Sequence, residues 1–369
     1  MSFCKRILFL LAYLMGLLLF FEGATRIALS TGLVFNRLHG NNDYSWRQSW
    51  LKRQTEENEI FYKFDRYDST KGWFNQPNLK NEKVFGNRLL NTNSRGLRGT
   101  TEYSYVKPPG KTRILIFGDS FTFGDEVSDH QTYAHYLQQM LPQAEIINMG
   151  IHGYAHDQML ILLKEEGIKY QPDIVLISFI STDMIRNTLS FRDFAKPRYL
   201  LEDGKLTLTH SAVPSPKSVV ENEWKKWKLL DLWSLLKHKR MVSMGTYNAH
   251  AEQITKALFH EIAKTVISIQ AQPLFVYMPI AGEITNSDIA EPYEQILYEF
   301  CDSLEGAICW SMKEHFKKKT EAGYSYKWGH WDSPGHKTIA EYLSRNLIES
   351  KLVESKTQEP LKETSGSSN

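Results

Sequence analysis

The hydrophobic residues of this chain fall into short continuous runs that are separated by longer, helix-like segments. The runs are RILIF (113–117), AEIINMG (144–150), QPDIVLISFI (171–180), PLFVYMP (273–279) and GAICWS (306–311). Short apolar runs are typical of strands that are buried on both faces of a parallel sheet. The alternation therefore predicts a doubly wound α/β domain, in which a parallel sheet of about five strands has helices on both faces.

The helices of this domain are expected between and after the runs. The segments are HQTYAHYLQQML, the stretch 151–170 after its opening glycines, roughly 249–270, near 290–304, and 335–350. The last residues, 351–369, are polar and rich in Ser, Lys, Glu and Thr, which is a composition typical of disorder. We therefore expect the folded domain to span 111–350 and a disordered tail to follow it.

Two further regions precede or interrupt this domain. Residues 30–110 are polar and aromatic, with turn signals such as NTNSRGLRG and KPPG and no long helical period. They are expected to form an irregular, strand-rich extension. Residues 188–248 form an insertion between the third and fourth strands. Its stretch PRYLLEDGKLTLTH has two alternating runs around Asp203 and Gly204, which predicts a β-hairpin.

A tryptophan-rich segment, ENEWKKWKLLDLWSLLKHKR, follows this hairpin within the insertion. It carries Trp224, Trp227 and Trp233 among several lysines and arginines. We favour a helix that packs its tryptophans on the core and leaves its lysines in water. A lid and a membrane-surface helix are the alternatives.

The first segment of the chain is not expected to belong to the folded domain. Residues 7–21, ILFLLAYLMGLLLFF, are uncharged. As a helix they would cross roughly 22 Å of the ~30 Å hydrocarbon core of a bilayer. A helix that continues past Glu22 and Arg26 to Leu29 is long enough, provided that those two side chains reach the interface. Residues 1–29 therefore predict a transmembrane helix.

Both an uncleaved signal-anchor and a cleavable signal peptide are consistent with this apolar length. Cleavage after Ala24 would put Glu22 at a position that favours small residues, so we prefer the signal-anchor. Lys5 and Arg6 on the amino side then place residues 30–369 outside the cytoplasm, in the periplasm if the chain is bacterial. The membrane is thus an expected partner through the N-terminal helix.

The composition excludes some classes of protein. The 369 residues carry 44 basic and 42 acidic side chains, a net charge of +2, which gives no support to a nucleic-acid-binding face. Three cysteines, Cys4, Cys301 and Cys309, are too few for a disulfide scaffold and lack metal-ligand spacing, so no metal or other cofactor is expected. Cys301 and Cys309 would pair in an oxidising compartment, and two buried thiols are the alternative.

Residues that can carry chemistry follow the predicted strands. In a doubly wound sheet, ligands bind outside the carboxyl ends of the strands. The chemistry-bearing residues near these ends are Ser120, Asn148 to Gly150 with Gly153, Ser181 to Asp183, and, in KWGHWDSPGH before the last helix, His330, Asp332 and His336. Acyl transfer requires a nucleophile, a base and donors for an oxyanion. Their convergence favours a catalytic role for Ser120 over that of a plain helix cap.

The blocks GDSFTFG and NMGIHGY and the late histidine-containing loop resemble those of the SGNH (GDSL-type) hydrolase superfamily, in order from about residue 90 to 350. The membrane-like N-terminus and the stretch from Asn93 to Gly99 are similar to bacterial cell-envelope members. The resemblance implies a flavodoxin-like sheet, a serine nucleophile, a histidine base, and an oxyanion hole made by the serine N–H, a glycine N–H and an asparagine side chain. By position, Ser120 is the nucleophile and Gly153 is the second donor.

Two positions depart from the family's pattern. Thr182 stands where the third block has its asparagine, and the loss of one such donor costs about 3 kcal/mol, or roughly 100-fold in rate. The last block places an aspartate two or three residues before its histidine, His330, but those positions hold Lys327 and Trp328. This leaves a Ser–His dyad, with the ring held by a backbone carbonyl, as one arrangement.

The expected function is hydrolysis, or transfer, of acyl esters outside the cytoplasm, with O-acyl groups of carbohydrate as the preferred substrate. Ser120 would attack the ester carbonyl and His330 would accept its proton. Thr182 would be a weaker oxyanion donor beside the N–H groups of Ser120 and Gly153. The alternative is a catalytically degenerate member that binds glycan or a protein without turnover.

The other histidines have different expected roles. His336 begins a helix and is expected to cap or pack. His152 and His156 lie near the second block, where they could face the substrate. Asp332 is close to His330 in sequence, but a residue two positions along need not point at the ring.

Overall fold

The centre of the molecule is a five-stranded parallel sheet, in which the strands Ile308–Ser311, Gln272–Tyr277, Ile174–Phe179, Thr112–Phe117 and Ala144–Asn148 lie side by side in this order. The computed structural model describes residues 3–31, 35–38, 40–57, 63–209, 212–285, 287–326 and 329–354. Within them, the strands are β1 (Asp65–Asp68), β2 (Gly72–Asn75), β3 (Glu82–Val84), β4 (Arg88–Leu90), β5 (Thr112–Phe117), β6 (Ala144–Asn148), β7 (Ile174–Phe179), β8 (Arg198–Glu202), β9 (Lys205–Thr209), β10 (Gln272–Tyr277) and β11 (Ile308–Ser311). The predicted α/β architecture with about five parallel strands is confirmed.

The helices lie mostly between these strands, as the alternation of runs and longer segments predicts. They are α1 (Phe3–Ser30), α2 (Phe35–Leu38), α3 (Asp43–Glu57), α4 (Ser120–Phe123), α5 (Tyr133–Met140), α6 (His156–Glu165), α7 (Ser181–Arg186), α8 (Pro216–Glu223), α9 (Lys228–Ser243), α10 (Thr246–Ser268), α11 (Ala281–Thr285), α12 (Ser287–Ser303), α13 (Lys313–Glu321) and α14 (Ser333–Glu349). Two short 3-10 helices occupy Asp129–Gln131 and Gly167–Tyr170.

Alternate residues of the central strands pack into two separate cores, one on each face of the sheet. Leu115 and Phe117 of β5 belong to the larger core, which β7, β10 and helices α6 and α10 share. Ile114 and Ile116 belong to the opposite core, which contains residues of α5 and α14. Because successive strand side chains point to opposite faces, a strand covered on both sides is apolar at every position. This burial accounts for the continuous runs in the sequence.

The N-terminal extension contains two small antiparallel hairpins, β1–β2 and β3–β4. It also contains the 15-residue helix α3, so the expectation of no long helix in this region is wrong. The buried face of α3 includes Arg47, which forms ion pairs with Glu223 at 3.0 Å and with Asp231 at 2.8 Å. A charged residue on the packed face interrupts the apolar period from which a helix is recognised.

The insertion contains the predicted hairpin β8–β9, with Asp203 and Gly204 at positive φ in its turn. Helices α8 and α9 follow. The interpretation that we favoured for the tryptophans is wrong, because Trp224, Trp227 and Trp233 are all exposed. The buried residue of α9 is Leu235.

The described chain begins with a long apolar helix and ends with a few residues after α14. Helix α1 is long and apolar enough to cross a membrane, and most of its most apolar stretch is exposed. At the other end, residues 351–354 of the predicted disordered tail follow α14, and Val353 is buried. The rest of that tail, 355–369, lies outside the described residues. Near the sheet, Cys301 of α12 and Cys309 of β11 form a disulfide with Cα atoms 6.2 Å apart.

Candidate active site

The turn after β5 places Ser120 at the carboxyl edge of the sheet. Gly118 has no room for a side chain, because a Cβ there would lie 2.0 Å from Thr122 Oγ1. Asp119 caps the short helix α4, and its carboxylate accepts the Phe121 N–H at 2.9 Å. Ser120 is therefore the first residue of α4, and it is 3% exposed.

The loop that follows α4 is held by Arg98, which belongs to the NSRGLRG stretch of the N-terminal extension. Its buried guanidinium donates to the carbonyls of Phe123 at 2.9 Å, Gly124 at 2.7 Å and Val127 at 2.7 Å. Glu126 lies inside this loop with φ of +65°, a left-handed conformation that is rare for a residue with a Cβ. The contacts of Arg98 thus fix a strained loop directly after the serine.

His330 is positioned by the residue that follows it. Trp331 is 1% exposed, its ring stacks on Phe316 with centroids 4.5 Å apart, and it meets Phe121 edge-on. Asp332 then caps α14 by accepting the Gly335 N–H at 3.1 Å. The buried ring and the cap together hold the loop, so that the imidazole of His330 faces the serine.

These elements bring the side chains of Ser120, His330 and Glu126 together. His330 Nε2 lies 2.8 Å from Ser120 Oγ, and His330 Nδ1 lies 3.3 Å from Glu126 Oε1. A nucleophile, an imidazole and a carboxylate in this order form the arrangement that acyl-transfer enzymes use to activate a serine. Glu126 comes from the loop after the serine rather than from the residues before the histidine.

A second imidazole–carboxylate pair lies beside these three side chains. His152 Nδ1 is 2.5 Å from Asp125 Oδ2, and the same oxygen is 3.8 Å from His330 Nε2. Burial alone disfavours a charged His152, but the carboxylates of Asp125 and Asp65 outweigh it, so the pKa of His152 is raised above its ordinary value. His152 thus pairs with the buried Asp125 next to the serine.

Asp65, from β1, is a third buried carboxylate near the serine, after Asp125 and Asp119. Both of its oxygens are buried without a hydrogen-bond partner among the described residues. Burial raises its pKa to about 7; the charge of Asp125 adds to the rise and His152 opposes it. The Asp65 carboxyl is therefore partly protonated near neutral pH.

The candidate oxyanion donors lie at the same edge. The loop after β6 crosses the nucleophile turn, because the Ile151 N–H donates to the Gly118 carbonyl at 3.1 Å. Gly153 lies on this loop with φ of +72°, and a Cβ there would approach the Asp193 carboxylate within 2.8 Å. Among the described residues, neither the Ser120 nor the Gly153 N–H has a hydrogen-bond acceptor. Neither N–H is thus used by a hydrogen bond within the described part of the chain.

Thr182 is exposed on the first turn of α7, which follows the neighbouring strand β7. Arg186 of the same helix ties α7 to the serine turn, since its Nη1 lies 2.7 Å from Asp119 Oδ2 and 2.6 Å from Asp183 Oδ1. Burial and the nearby Asp119 raise the pKa of Asp183, and the guanidinium opposes them. No contact joins Thr182 to Ser120 or His330 within the part of the chain that the structure describes.

His336 and His156 make no contact with the serine in the described part of the chain. His336 is fully buried and its Nδ1 accepts the Tyr133 N–H at 3.2 Å, as expected for a packing residue. His156 was expected to be able to face the substrate, but it is buried in the core against Phe179 and Phe259. Burial lowers the pKa of both histidines to about 3, so both are neutral.

Glu126 and Asp125 were not identified from the sequence. The family pattern directs attention to the residues before His330, and Lys327 and Trp328 lie outside the described residues. The signal that could have found Glu126 is the pair of acidic residues in GDSFTFGDE, which directly follows the nucleophile turn. Within the described part of the chain, no group of His, Cys, Asp or Glu residues is arranged to hold a metal ion.

Several solved structures are similar to this chain at low identity. No protein-family model matches the chain, and no curated protein does. A member of the lipolytic protein G-D-S-L family from Veillonella parvula matches 64% of this chain over 98% of its own length, with 11% identity and a TM-score of 0.39. A catalytic mutant of an acetylxylan esterase from Geobacillus stearothermophilus matches 66% over 97% of its length, with 13% identity and a TM-score of 0.40.

A two-domain esterase active on acetylated mannans, crystallised with mannopentaose, matches 67% of this chain over 52% of its own length. Its identity is 13% and its TM-score is 0.37. The α/β architecture of this chain is established by its own parallel sheet and flanking helices. The chemistry below is argued from the site itself.

Proposed function

We propose that the protein is a serine esterase in which Ser120, His330 and Glu126 form the catalytic triad. The observation that carries this proposal is the hydrogen bond of 2.8 Å between Ser120 Oγ and His330 Nε2, made at the carboxyl edge of the sheet. A serine whose only role is to cap a helix does not require an imidazole at this distance. The carboxylate of Glu126 at Nδ1 supplies the partner that the usual sequence position lacks.

The reaction follows from these positions. Ser120 Oγ attacks the ester carbonyl while its proton moves to His330 Nε2, and the carbonyl oxygen becomes an oxyanion. The N–H groups of Ser120 and Gly153, with the Thr182 hydroxyl as a weaker donor, stabilise that oxyanion. The leaving alkoxide takes the proton from His330, and an acyl-serine remains. Water, or a sugar hydroxyl in a transferase, then releases the acyl group through the same steps in reverse order.

The charges of the site suit this sequence of steps. The imidazolium that forms on His330 lies beside the Glu126 carboxylate, whereas Asp125 is paired with His152. Glu126 contacts Nδ1, on the side of the His330 ring that is remote from the serine at Nε2.

We infer that the substrates are small acyl esters, with O-acyl groups of carbohydrate as the preferred class. The serine is 3% exposed, which favours a short acyl chain such as acetyl. The Phe121 ring lies 5.0 Å from the His330 ring and offers an apolar surface beside the site. The resemblance of the sequence to cell-envelope members of the superfamily supports carbohydrate as the alcohol part.

The direct test is ester hydrolysis by the purified full-length chain in detergent. 4-Nitrophenyl acetate should be hydrolysed faster than the octanoate, and an acetylated polysaccharide should release acetate. The matched control is Ser120→Ala, which should lose the activity above the uncatalysed rate. A wild type without turnover on any acyl ester would instead support the alternative of a glycan- or protein-binding member.

We also propose that α1 anchors the protein and that the catalytic domain lies outside the cytoplasm. The end of α1 is part of the folded structure, because Glu22 accepts the N–H groups of Lys228 and Leu229, both at 3.0 Å. Cleavage after Ala24 would remove this contact, which supports an uncleaved anchor. The disulfide between Cys301 and Cys309 is typical of an oxidising compartment.

A reporter fusion tests this location. A reporter enzyme that is active only outside the cytoplasm should be active when it is fused after Asn369. Activity of a reporter that works only in the cytoplasm, fused at the same point, would overturn the proposed topology.

A further inference from the structure

The insertion presents an exposed apolar surface that the proposed chemistry does not use. Trp224, Trp227, Leu230 and Trp233 leave 69%, 42%, 66% and 64% of their surface exposed. We call these four residues the tryptophan patch. Large apolar side chains exposed this close together in the sequence are typical of a face that binds a partner or a membrane.

The tryptophan patch lies at the point where α1 joins the folded domain. The Glu22 carboxylate accepts the first N–H groups of α9, as described above. Arg26 Nη2 donates to the Lys226 carbonyl at 2.8 Å, between two tryptophans of the patch. The buried face of α1 is Glu22, Thr25 and Leu29, which has helical spacing. The end of α1 is thus fixed against the residues that carry the patch.

The length of α1 determines the depth in a bilayer at which Glu22 and Arg26 contact the start of α9. A hydrocarbon core of ~30 Å needs about 20 helical residues. Counted from Ile7, the first residue after Lys5 and Arg6, such a span ends at about Arg26. The outer membrane boundary therefore falls at the level where Glu22 and Arg26 contact the start of α9. Tryptophan is the residue most typical of this level, since its ring is apolar and its N–H is polar.

The patch is supported by a network of ion pairs. Arg47 of α3 binds Glu223, which directly precedes the patch, and Asp231, which lies between Leu230 and Trp233, and Lys228 lies 2.6 Å from Glu223. These ion pairs hold the segment that carries the patch against α3, which argues against a lid that opens and closes.

The positive charges around the patch suit lipid headgroups. Lys225 lies over the Trp224 ring at 5.7 Å, and Lys237 lies over the Trp233 ring at 5.5 Å. Lysine beside tryptophan is the composition of surfaces that sit among anionic headgroups. A helix that faces only water is not stabilised by exposing tryptophans. The patch also continues from the end of α1, and this continuity favours a membrane over a protein partner.

We propose that the tryptophan patch inserts into the outer interface of the same membrane that α1 spans. The anchor and the patch together then fix the orientation of the domain, and so the direction from which the site meets its substrate. This inference rests on the proposed anchoring and not on the proposed chemistry.

The test measures the depth of the patch in full-length protein incorporated into phosphatidylcholine nanodiscs, with and without phosphatidylglycerol. The nanodiscs contain lipids brominated in the upper part of their acyl chains, which quench nearby tryptophan. The variant is W224F/W227F/W233F, because phenylalanine keeps an apolar ring at each position and removes only the fluorophore. The matched control is W310F, since Trp310 on β11 packs beside Tyr342.

Bromolipid should quench the wild type and W310F, and the fraction quenched should fall about twofold or more in W224F/W227F/W233F. Equal fractional quenching in the wild type and this variant would overturn the proposal. Self-association that only the variant loses, with no change in quenching, would overturn it in favour of a second copy as the occupant. Failure to co-elute with nanodiscs would overturn both the anchoring and this inference, whereas ester hydrolysis would be unaffected by it.

Discussion

The substitution Glu126→Gln separates a Ser–His–Glu triad from a Ser–His dyad. Glutamine is close to glutamate in size, so it keeps the loop and can keep the contact to His330 Nδ1 while the negative charge is lost. The carboxylate acts on the imidazolium, which exists only after the proton has left Ser120. The substitution should therefore lower kcat and change KM little.

The magnitude follows from the distance and the exposure. Two unit charges about 4 Å apart interact by about 1 kcal/mol in water and by about 4 kcal/mol at an effective dielectric constant of 20. The side chains are 3.3 Å apart, with 28% of His330 and 37% of Glu126 exposed, so solvent screens the pair substantially. A loss of about 2 kcal/mol corresponds to a decrease of about 30-fold in kcat.

The assay is steady-state hydrolysis of 4-nitrophenyl acetate at two ionic strengths. Because the pair is partly exposed, salt should lower kcat of the wild type more than that of Glu126→Gln. The matched control is Glu305→Gln, which removes an exposed carboxylate before β11 and should leave kcat unchanged. If Glu126→Gln retains kcat within about twofold of the wild type at both ionic strengths, the electrostatic role of Glu126 is refuted.

Three further substitutions test other parts of the account. Thr182→Asn should raise the rate of ester hydrolysis about tenfold, or by about 1.4 kcal/mol, because an amide restores the family's donor; an unchanged or lower rate would show that Thr182 is not an oxyanion donor. Burial lowers the pKa of His336 to about 3, so the unfolded chain binds a proton near pH 6.5 that the folded chain does not, and stability is lost as the pH falls from about 6.5 toward 3. His336→Asn keeps an acceptor for the Tyr133 N–H, and urea unfolding should show that it loses about 2 kcal/mol less than the wild type between pH 6.5 and pH 5; equal losses would contradict the buried neutral state. Burial raises the pKa of Asp65 to about 7, so the folded chain holds a proton that the unfolded chain releases near pH 4, and stability falls as the pH rises from about 4 to about 7. Asp65→Asn should therefore stabilise the protein more at pH 8 than at pH 4, and an equal effect at both values would contradict the raised pKa.

The central sheet could be predicted because its strands carry a strong local signal. Strands β5, β7 and β10 are covered on both faces, and burial at nearly every position leaves a continuous apolar run. Helix α13 could not be found in the same way, since Phe316 is its only buried apolar residue among several lysines. Helix α3 was missed for a related reason, because its buried face includes the paired Arg47.

The candidate site was predictable only where chemistry is tied to a motif. Ser120 and His330 were selected from blocks that resemble a known superfamily, and the structure places them within hydrogen-bond distance. Their catalytic roles stay proposals. Glu126 was not predictable, because its position depends on a left-handed residue in a loop that Arg98 holds from another part of the chain. Contacts between segments that are distant in sequence leave no periodic signal.

The tryptophans before and in α9 show the same limit. Apolar residues at helical spacing are usually packed on a core, and the sequence favoured this interpretation. Their exposure follows from the tertiary position of α9, whose inner face is occupied by Leu235 and by the ion pairs to Arg47. A helix with apolar residues on more than one side does not reveal from sequence which side is buried.

The central claim is that His330 activates Ser120 as a nucleophile, and covalent labelling tests it most directly. The full-length protein in detergent is treated with a fluorophosphonate, and the modified residue is located by peptide mass spectrometry. The account predicts one adduct, on Ser120, that is absent in Ser120→Ala and forms at least about 100-fold more slowly in His330→Ala. An adduct at another residue, or equal labelling rates in the wild type and His330→Ala, would contradict the claim.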